Sequence, residues 1–136
     1  MAPPMQLQVI DGVFAVARLD PWARVPEWSL AVSALSSITR TTEELSLVCE
    51  QTEQNRSELA EIDPACIEAG WRGIRVIGTL DFALTGILAG LSKTLADADI
   101  SIFALSTFDT DYILVRDKSL AAACVALRKA GYSFAD

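Results

Sequence analysis

Two groups of residues in the second half of this 136-residue sequence have the types and spacing to bind a small charged molecule. Asp81 follows an apolar strand pattern, and Gly86 stands at the start of an apolar helix pattern. A helix start presents unpaired backbone N–H groups and the positive end of the helix dipole, which suit a carboxylate. Asp109 and Asp111, together with Asp81, would suit an ammonium group if the three carboxylates converge. The pattern favours a molecule that carries both charges, with a neutral or basic side chain.

The same residues also have purely structural interpretations. Asp81 can be a helix N-cap, and Asp109 with Thr110 can be turn formers. Ser106 and Thr107 can simply end a strand. The sequence alone leaves both interpretations open at each of these positions.

Metal binding and nucleophilic catalysis have little support in the sequence. Asp109 and Asp111 form a lone D-x-D pair without an evident third ligand, so we expect no metal. The three cysteines, Cys49, Cys66 and Cys124, are far apart and form no C-x-x-C pair. Because the chain contains no histidine, a Ser-His-Asp triad and a histidine metal ligand are excluded. We therefore predict a protein that is not an enzyme and needs no cofactor.

The charge of the chain argues against two classes of partner. Eighteen acidic and eleven basic residues give a formal net charge of −7. Such a balance opposes binding to nucleic-acid phosphates and to anionic lipid, so neither nucleic acid nor a membrane is expected as a partner.

The expected location is the cytoplasm. Residues 1–4 show no cationic segment followed by an apolar one, as a secretory signal would require. The longest apolar stretch, Phe82–Leu91, is much shorter than the roughly 18 residues of a membrane span.

The residue pattern of the second half predicts a complete series of strands and helices. The predicted order is a strand at 73–80, a helix carrying its apolar stripe from Leu84 to Leu95, strands at 100–106 and 112–115 joined by a loop at 107–111, a helix from Asp117 or Ser119 to Gly131, and a strand at 132–134. This βαββαβ order is typical of α+β, ferredoxin-like folds, with an antiparallel sheet and both helices on one face.

The first half reads as a weaker copy of the same pattern. Its predicted elements are strands at 6–10 and 13–19 joined by an Asp11-Gly12 hairpin turn, a short helix at 27–32, and strands at 34–39 and 44–49. Residues 38–48 can be laid over 105–115 at a constant offset of 67, which indicates an internal repeat. The acidic stretch 50–68 reads as a solvated connector, either a linker or a solvated helix, with an acidic interaction surface as the alternative. We predict two tandem modules, 1–68 and 69–136.

The residues of the second half also resemble a known family. The segments 78–92 and 95–115, with the strand–Asp–helix sequence and the Ser106–Asp111 hairpin, resemble an ACT domain. They are similar to the ACT type in the regulatory half of aspartate kinases, in cytosolic arginine sensors, and in small bacterial proteins with two such modules. The resemblance is strong from Trp71 to Tyr132 and faint from Val13 to Cys49.

The resemblance implies a regulatory sensor without catalysis that binds a small molecule, usually an amino acid, at a contact between two modules. It also implies a homo-oligomer, most simply a dimer. The implied ligand-binding residues are Asp81, Phe82, Ala83, Leu84, Thr85, Gly86, Ile87, Ser106, Thr107, Phe108, Asp109, Thr110 and Asp111. In the first half, the loop from Asp20 to Pro26 replaces the glycine-containing helix start, so one site per chain, or none, is expected. The alternative is an interaction or dimerisation module without a ligand.

Overall fold

The computed structural model describes residues 6–77 and 86–135, and it divides into two compact units. Asp11–Trp71 form the unit that we call the inner unit. Met1–Ile10 and Arg72–Asp136 form the one that we call the outer unit, because its sequence flanks the other.

The described residues contain eight strands and three α-helices. The strands are β1 (Gln6–Val9), β2 (Phe14–Leu19), β3 (Ser37–Arg40), β4 (Leu45–Glu50), β5 (Ile67–Val76), β6 (Ile102–Ser106), β7 (Asp111–Arg116) and β8 (Ser133–Phe134). The α-helices are α1 (Arg56–Ala60), α2 (Ile87–Asp97) and α3 (Leu120–Lys129). Short 3-10 helices lie at Glu27–Leu30, Pro64–Cys66 and Asp117–Ser119.

The inner unit is a reduced βαββαβ module. Its strands lie in the order β3-β4-β2-β5, with antiparallel pairing throughout. The first helical position holds the 3-10 helix Glu27–Leu30, and the second holds the five-residue α1 and the 3-10 helix Pro64–Cys66. Its strand order is therefore that of a ferredoxin-like sheet, while its helices are almost absent.

The outer unit has full-length helices and one additional strand. Its strands lie in the order β6-β7-β5-β1-β8, where β1 is antiparallel to β5 and parallel to β8. Without β1, the order of β5, β6, β7 and β8 is again that of a ferredoxin-like sheet. The predicted α+β, ferredoxin-like fold is confirmed.

The core of the outer unit lies between one face of this sheet and both helices. Apolar side chains at helical spacing on α2 and α3 bury against alternate residues of the strands. The buried cluster consists of Leu7, Ile74, Val76, Leu91, Leu95, Ile113, Val115, Ala123 and Leu127.

The predicted hairpin at Asp11-Gly12 is wrong. Both predicted strands exist, but β1 pairs with β5 and β8, while β2 pairs with β4 and β5. Leu7 is fully buried in the core of the outer unit. The burial of this apolar side chain decides the partner of β1, and the local turn preference of two residues does not.

The predicted connector at 50–68 is partly helical, in line with the solvated-helix interpretation. It contains α1 and the 3-10 helix Pro64–Cys66, and its last residues begin β5, six residues before the predicted strand start. The predicted boundary at 68/69 falls inside that strand, whereas the two units divide at 10/11 and 71/72.

Within the described ranges, no helix has both the length and the apolar character needed to cross a membrane.

Candidate functional site

The start of α2 has the geometry predicted for it. Gly86 adopts a left-handed conformation with a φ of 81°, and the helix begins at Ile87. Its carbonyl accepts the first helical hydrogen bond, from the Gly90 N–H at 2.8 Å. Among the described residues, no side chain caps this end of the helix. No described side chain therefore accepts from the first N–H groups of α2.

The hairpin between β6 and β7 is closed by two threonines. Ser106 lies opposite Asp111 in the strand register. The Thr107 N–H donates to the Thr110 carbonyl at 2.8 Å, and the Thr107 hydroxyl donates to the same carbonyl at 3.2 Å. The Thr110 N–H donates back to the Thr107 hydroxyl at 3.3 Å. Thr110 thus takes part in the turn through its backbone, in line with the turn-forming interpretation. Thr107, expected only to end a strand, contributes its hydroxyl to the turn.

Thr110 fixes this hairpin to the end of β5. Its side chain is buried, and its hydroxyl donates a 2.8 Å hydrogen bond to the Val76 carbonyl. Val76 is the last residue of β5, from which the chain continues toward Gly86 and α2. The hairpin therefore lies where β5 ends, as a site between the strand end and the hairpin requires.

The remaining hairpin side chains face solvent. The Ser106 hydroxyl donates to Asp111 Oδ1 at 2.6 Å, which orients this half-buried carboxylate. Phe108 is 79% exposed, and Asp109 is also exposed. The hairpin thus presents two carboxylates and an aromatic ring at its surface.

Five of the predicted site residues lie outside the described residues: Asp81, Phe82, Ala83, Leu84 and Thr85. The convergence of Asp81 with Asp109 and Asp111 therefore stays a prediction.

The inner unit contains a hairpin with the same hydrogen bonds. The Thr41 N–H donates to the Glu44 carbonyl at 2.9 Å, and the Glu44 N–H donates to the Thr41 hydroxyl at 3.1 Å. Thr41 and Glu44 thus take the places of Thr107 and Thr110 at an offset of 66. Unlike Thr110, Glu44 has no hydroxyl with which to hold a neighbouring strand.

The inner unit contains a cleft of about 480 Å³ that was not predicted from the sequence. Its lining residues are Val13, Gln51, Thr52, Glu53, Arg56 and Leu59. Most of them belong to the stretch that reads as a connector, where charged residues usually indicate a solvated surface. The only local signal is the i,i+3 spacing of Glu53 and Arg56, which is common on ordinary helix surfaces.

The three cysteines are free thiols in protected or weakly activated positions. Burial raises the pKa of the Cys49 thiol to about 11. Burial also raises the pKa of Cys124, against an opposing effect of Arg128 and Arg72. Cys66 accepts a hydrogen bond from Arg18 Nη2 at 3.3 Å. A raised thiol pKa opposes nucleophilic chemistry at Cys49 and Cys124.

Across residues 6–77 and 86–135, no three carboxylate or thiol side chains come together as metal ligands.

The comparisons with known proteins agree with this architecture. A sequence model of the ACT domain matches residues 67–129, and a model described as an N-terminal domain matches residues 12–55. A solved protein from Agobacterium tumefaciens is 32% identical, with a TM-score of 0.81, and the match covers 98% of this chain and 94% of that one.

Two aspartate kinase structures share the fold at low identity. A putative C-terminal regulatory domain of aspartate kinase from Porphyromonas gingivalis is 11% identical, with a TM-score of 0.57 over 95% of this chain and 96% of that one. Aspartokinase III of E. coli, solved with aspartate and ADP, is 15% identical, with a TM-score of 0.59 over 95% of this chain and 34% of that one.

The fold and its hairpin define an α+β protein of two ferredoxin-like units. The chain belongs to the ACT-domain family.

Proposed function

We propose that this chain is a regulatory protein that binds a small molecule, most simply an amino acid, at the start of α2. The observation that carries the proposal is the hydrogen bond from Thr110 to Val76, which fixes an acidic hairpin at the end of β5. The next described element, α2, begins without a cap from any described side chain. The protein acts by binding, without catalysis.

The two ends of the proposed site have complementary chemistry. The N–H groups after Gly86 receive the ligand carboxylate, because a helix start favours negative charge. Asp109 and Asp111, with Asp81, receive the ligand ammonium group. We propose that Ile87 and the predicted site residues at 82–85 also contact the ligand.

The finer parts of the proposal come from the family. We propose that the ligand is held at a contact between two modules, and that the protein forms a homodimer in the cytoplasm. A cytoplasmic location is compatible with three thiols that form no disulfide in the described part of the chain. Light scattering during size-exclusion chromatography tests the dimer, with a monomeric mass at every concentration as the contrary result.

The first test is a thermal unfolding series with each of the twenty amino acids. A ligand at about 100 times its Kd should add about 2.7 kcal/mol to the free energy of unfolding, a readily measured shift for a chain of this size. If none of the twenty raises the unfolding temperature, amino-acid binding is wrong.

A matched pair of glycine variants locates the site. Gly86 and Gly70 both have a φ of 81°, and a Cβ on either one would meet no atom of a described residue within 4 Å. Gly86→Ala and Gly70→Ala should therefore cost similar stability, on the order of 1 kcal/mol. We expect Gly86→Ala to weaken binding of the active amino acid in calorimetry and Gly70→Ala to leave it unchanged. Equal affinity in both variants would place the site elsewhere.

The second candidate function is protein interaction without a ligand. The exposure of Phe108 at the hairpin tip favours it, since aromatic side chains are common anchors of interfaces. In that case Phe108→Ser would reduce self-association in light scattering, while the amino-acid series would show no shift.

A further inference from the structure

The cleft in the inner unit is built on a hydrogen-bonded frame. The Gln51 N–H donates to the Val13 carbonyl at 2.7 Å, which joins the two walls of the cleft. Gln51 Oε1 accepts from the Gly70 N–H at 2.8 Å, so the Gln51 side chain is held in place. The volume of the cleft, about 480 Å³, lies within the range of roughly 300–1,000 Å³ found for small-molecule sites.

Asn55 fixes the loop beneath the cleft. It is 4% exposed, and its Nδ2 donates to the Glu50 carbonyl at 2.8 Å. Its Oδ1 accepts from the Thr52 N–H at 2.9 Å, while its own N–H donates to the Thr52 hydroxyl at 3.3 Å. A buried amide that is bonded through both its oxygen and its nitrogen holds the loop against the end of β4, which favours a preformed cleft.

The lining combines an apolar wall with one pair of opposite charges. Val13 is 36% exposed, and Leu59 is half-buried. Glu53 Oε1 and Arg56 Nη2 are 2.8 Å apart, and both side chains are about three-quarters exposed. An ion pair this exposed contributes little stability, about 0.2–1 kcal/mol. A ligand can therefore separate the pair at small cost.

We infer that this cleft binds a small zwitterion with an apolar stem. Its carboxylate would take two N–H groups of Arg56, its ammonium group would take Glu53, and its stem would cover Val13 and Leu59. A ligand with only one of these charges would leave Glu53 or Arg56 without a partner. This site lies within residues 11–71 and is separate from the one proposed at Gly86.

The test is an NMR titration of the full chain with three probes of one shape: leucine, leucinamide and 4-methylpentanoate. We expect saturable amide shifts at residues 51–53, 56 and 59 with leucine. The amide and the acid should bind about tenfold more weakly, which is the loss of one charge-assisted hydrogen bond. Equal binding of all three probes would overturn the inference.

A matched ion pair in the outer unit provides the control. Lys93 and Asp97 are also 2.8 Å apart and similarly exposed, but they do not line the cleft. Arg56→Gln should weaken leucine binding, followed by the shifts at residues 51–53, about tenfold. Lys93→Gln should leave the leucine affinity unchanged. If both variants behave alike, the inference is wrong.

The titration also separates this site from the one at Gly86. If leucine shifts only the amides of Gly86 and residues 106–111, the cleft inference fails while the proposed function stands. Shifts only at residues 51–53, 56 and 59 support the inference without supporting the other site.

Discussion

At the residue scale, the hydroxyl of Thr110 joins the hairpin of the outer unit to the end of β5. The Val76 carbonyl that accepts its hydrogen bond belongs to a residue that is almost completely buried. Removing one partner of such a buried hydrogen bond costs more stability than the bond contributes when it forms, because the remaining group stays unsatisfied.

Thr110→Val should therefore lower the free energy of unfolding by about 1–2 kcal/mol in urea titrations. Thr39→Val is the matched control, because Thr39 is exposed on β3 and its hydroxyl makes no hydrogen bond within the described residues. The control should change stability by less than about 0.5 kcal/mol. Equal effects of the two substitutions would mean that the Thr110 bond adds nothing.

Cys49 gives the protein a specific sensitivity to alkaline pH. Its folded-state pKa of about 11 lies above the ordinary value of 9.0, so the unfolded thiol ionises first as pH rises. The free energy of unfolding should thus be unaffected below about pH 9 and fall by on the order of 2 kcal/mol toward pH 11.

Urea titrations at a series of pH values test this prediction, with Cys49→Ala as the reference. Other alkaline groups, including Tyr132, titrate alike in both proteins, so the difference between the two curves isolates Cys49. A difference that stays constant from pH 8 to 11 would contradict it.

At the element scale, β1 and β5 approach closely at Gly73. A Cβ on Gly73 would lie 2.6 Å from Ile10 Cδ1 and 2.7 Å from Ile10 Cγ1. The Ile10 N–H also donates to the Gly73 carbonyl at 2.9 Å, so the backbone cannot easily move away.

Gly73→Ala should destabilise the protein by about 1–3 kcal/mol through this overlap. The same substitution in an Ile10→Ala background should cost clearly less, because both clashing atoms are gone. Chemical denaturation of the four proteins in this cycle gives the coupling energy. Additive effects would show that Ile10 is not the obstacle.

The two hairpins show which part of the repeat the sequence could reveal. The sequence alignment at an offset of 67 pairs Leu45 with Tyr112, whereas the strand registers place Leu45 opposite Arg40 and Asp111 opposite Ser106, an offset of 66 (111 − 45). The offset of 66 also aligns the buried runs 47–49 and 113–115. Similarity of residue types favoured the wrong offset. A one-residue slip in a strand moves every side chain to the other face, so the burial pattern identifies the correct offset.

At the scale of the whole molecule, the first strand stabilises the unit that is completed at the other end of the sequence. Leu7 is fully buried among the side chains of β5, β7, α2 and α3. The contribution of Leu7 to stability should therefore appear in elements of the outer unit that are far from Leu7 in sequence.

Leu7→Ala should cost about 2–5 kcal/mol, and hydrogen exchange should rise in α2 and α3. Leu30, which is 54% exposed, supplies the control Leu30→Ala, with a change below about 0.5 kcal/mol expected. Faster exchange confined to β2, β3 and β4 would contradict the assignment of β1 to the outer unit.

The sequence by itself determined most of the elements, including the helix start and the hairpin on which the candidate site is proposed. Apolar periodicity located the strands and both long helices, and glycine chemistry located the start of α2 at Gly86, because these signals depend on neighbouring residues. The hairpin loop was predicted at 107–111 for the same reason, and in the structure Asp111 already belongs to β7.

Only the tertiary structure decided the partner of β1, the limits of the two units, the offset of the repeat and the cleft beside Arg56. Each depends on which apolar face finds a core to bury it, and that is a contact between residues distant in sequence. The Asp11-Gly12 turn was misread because local preference contributes less free energy than burial of side chains such as Leu7.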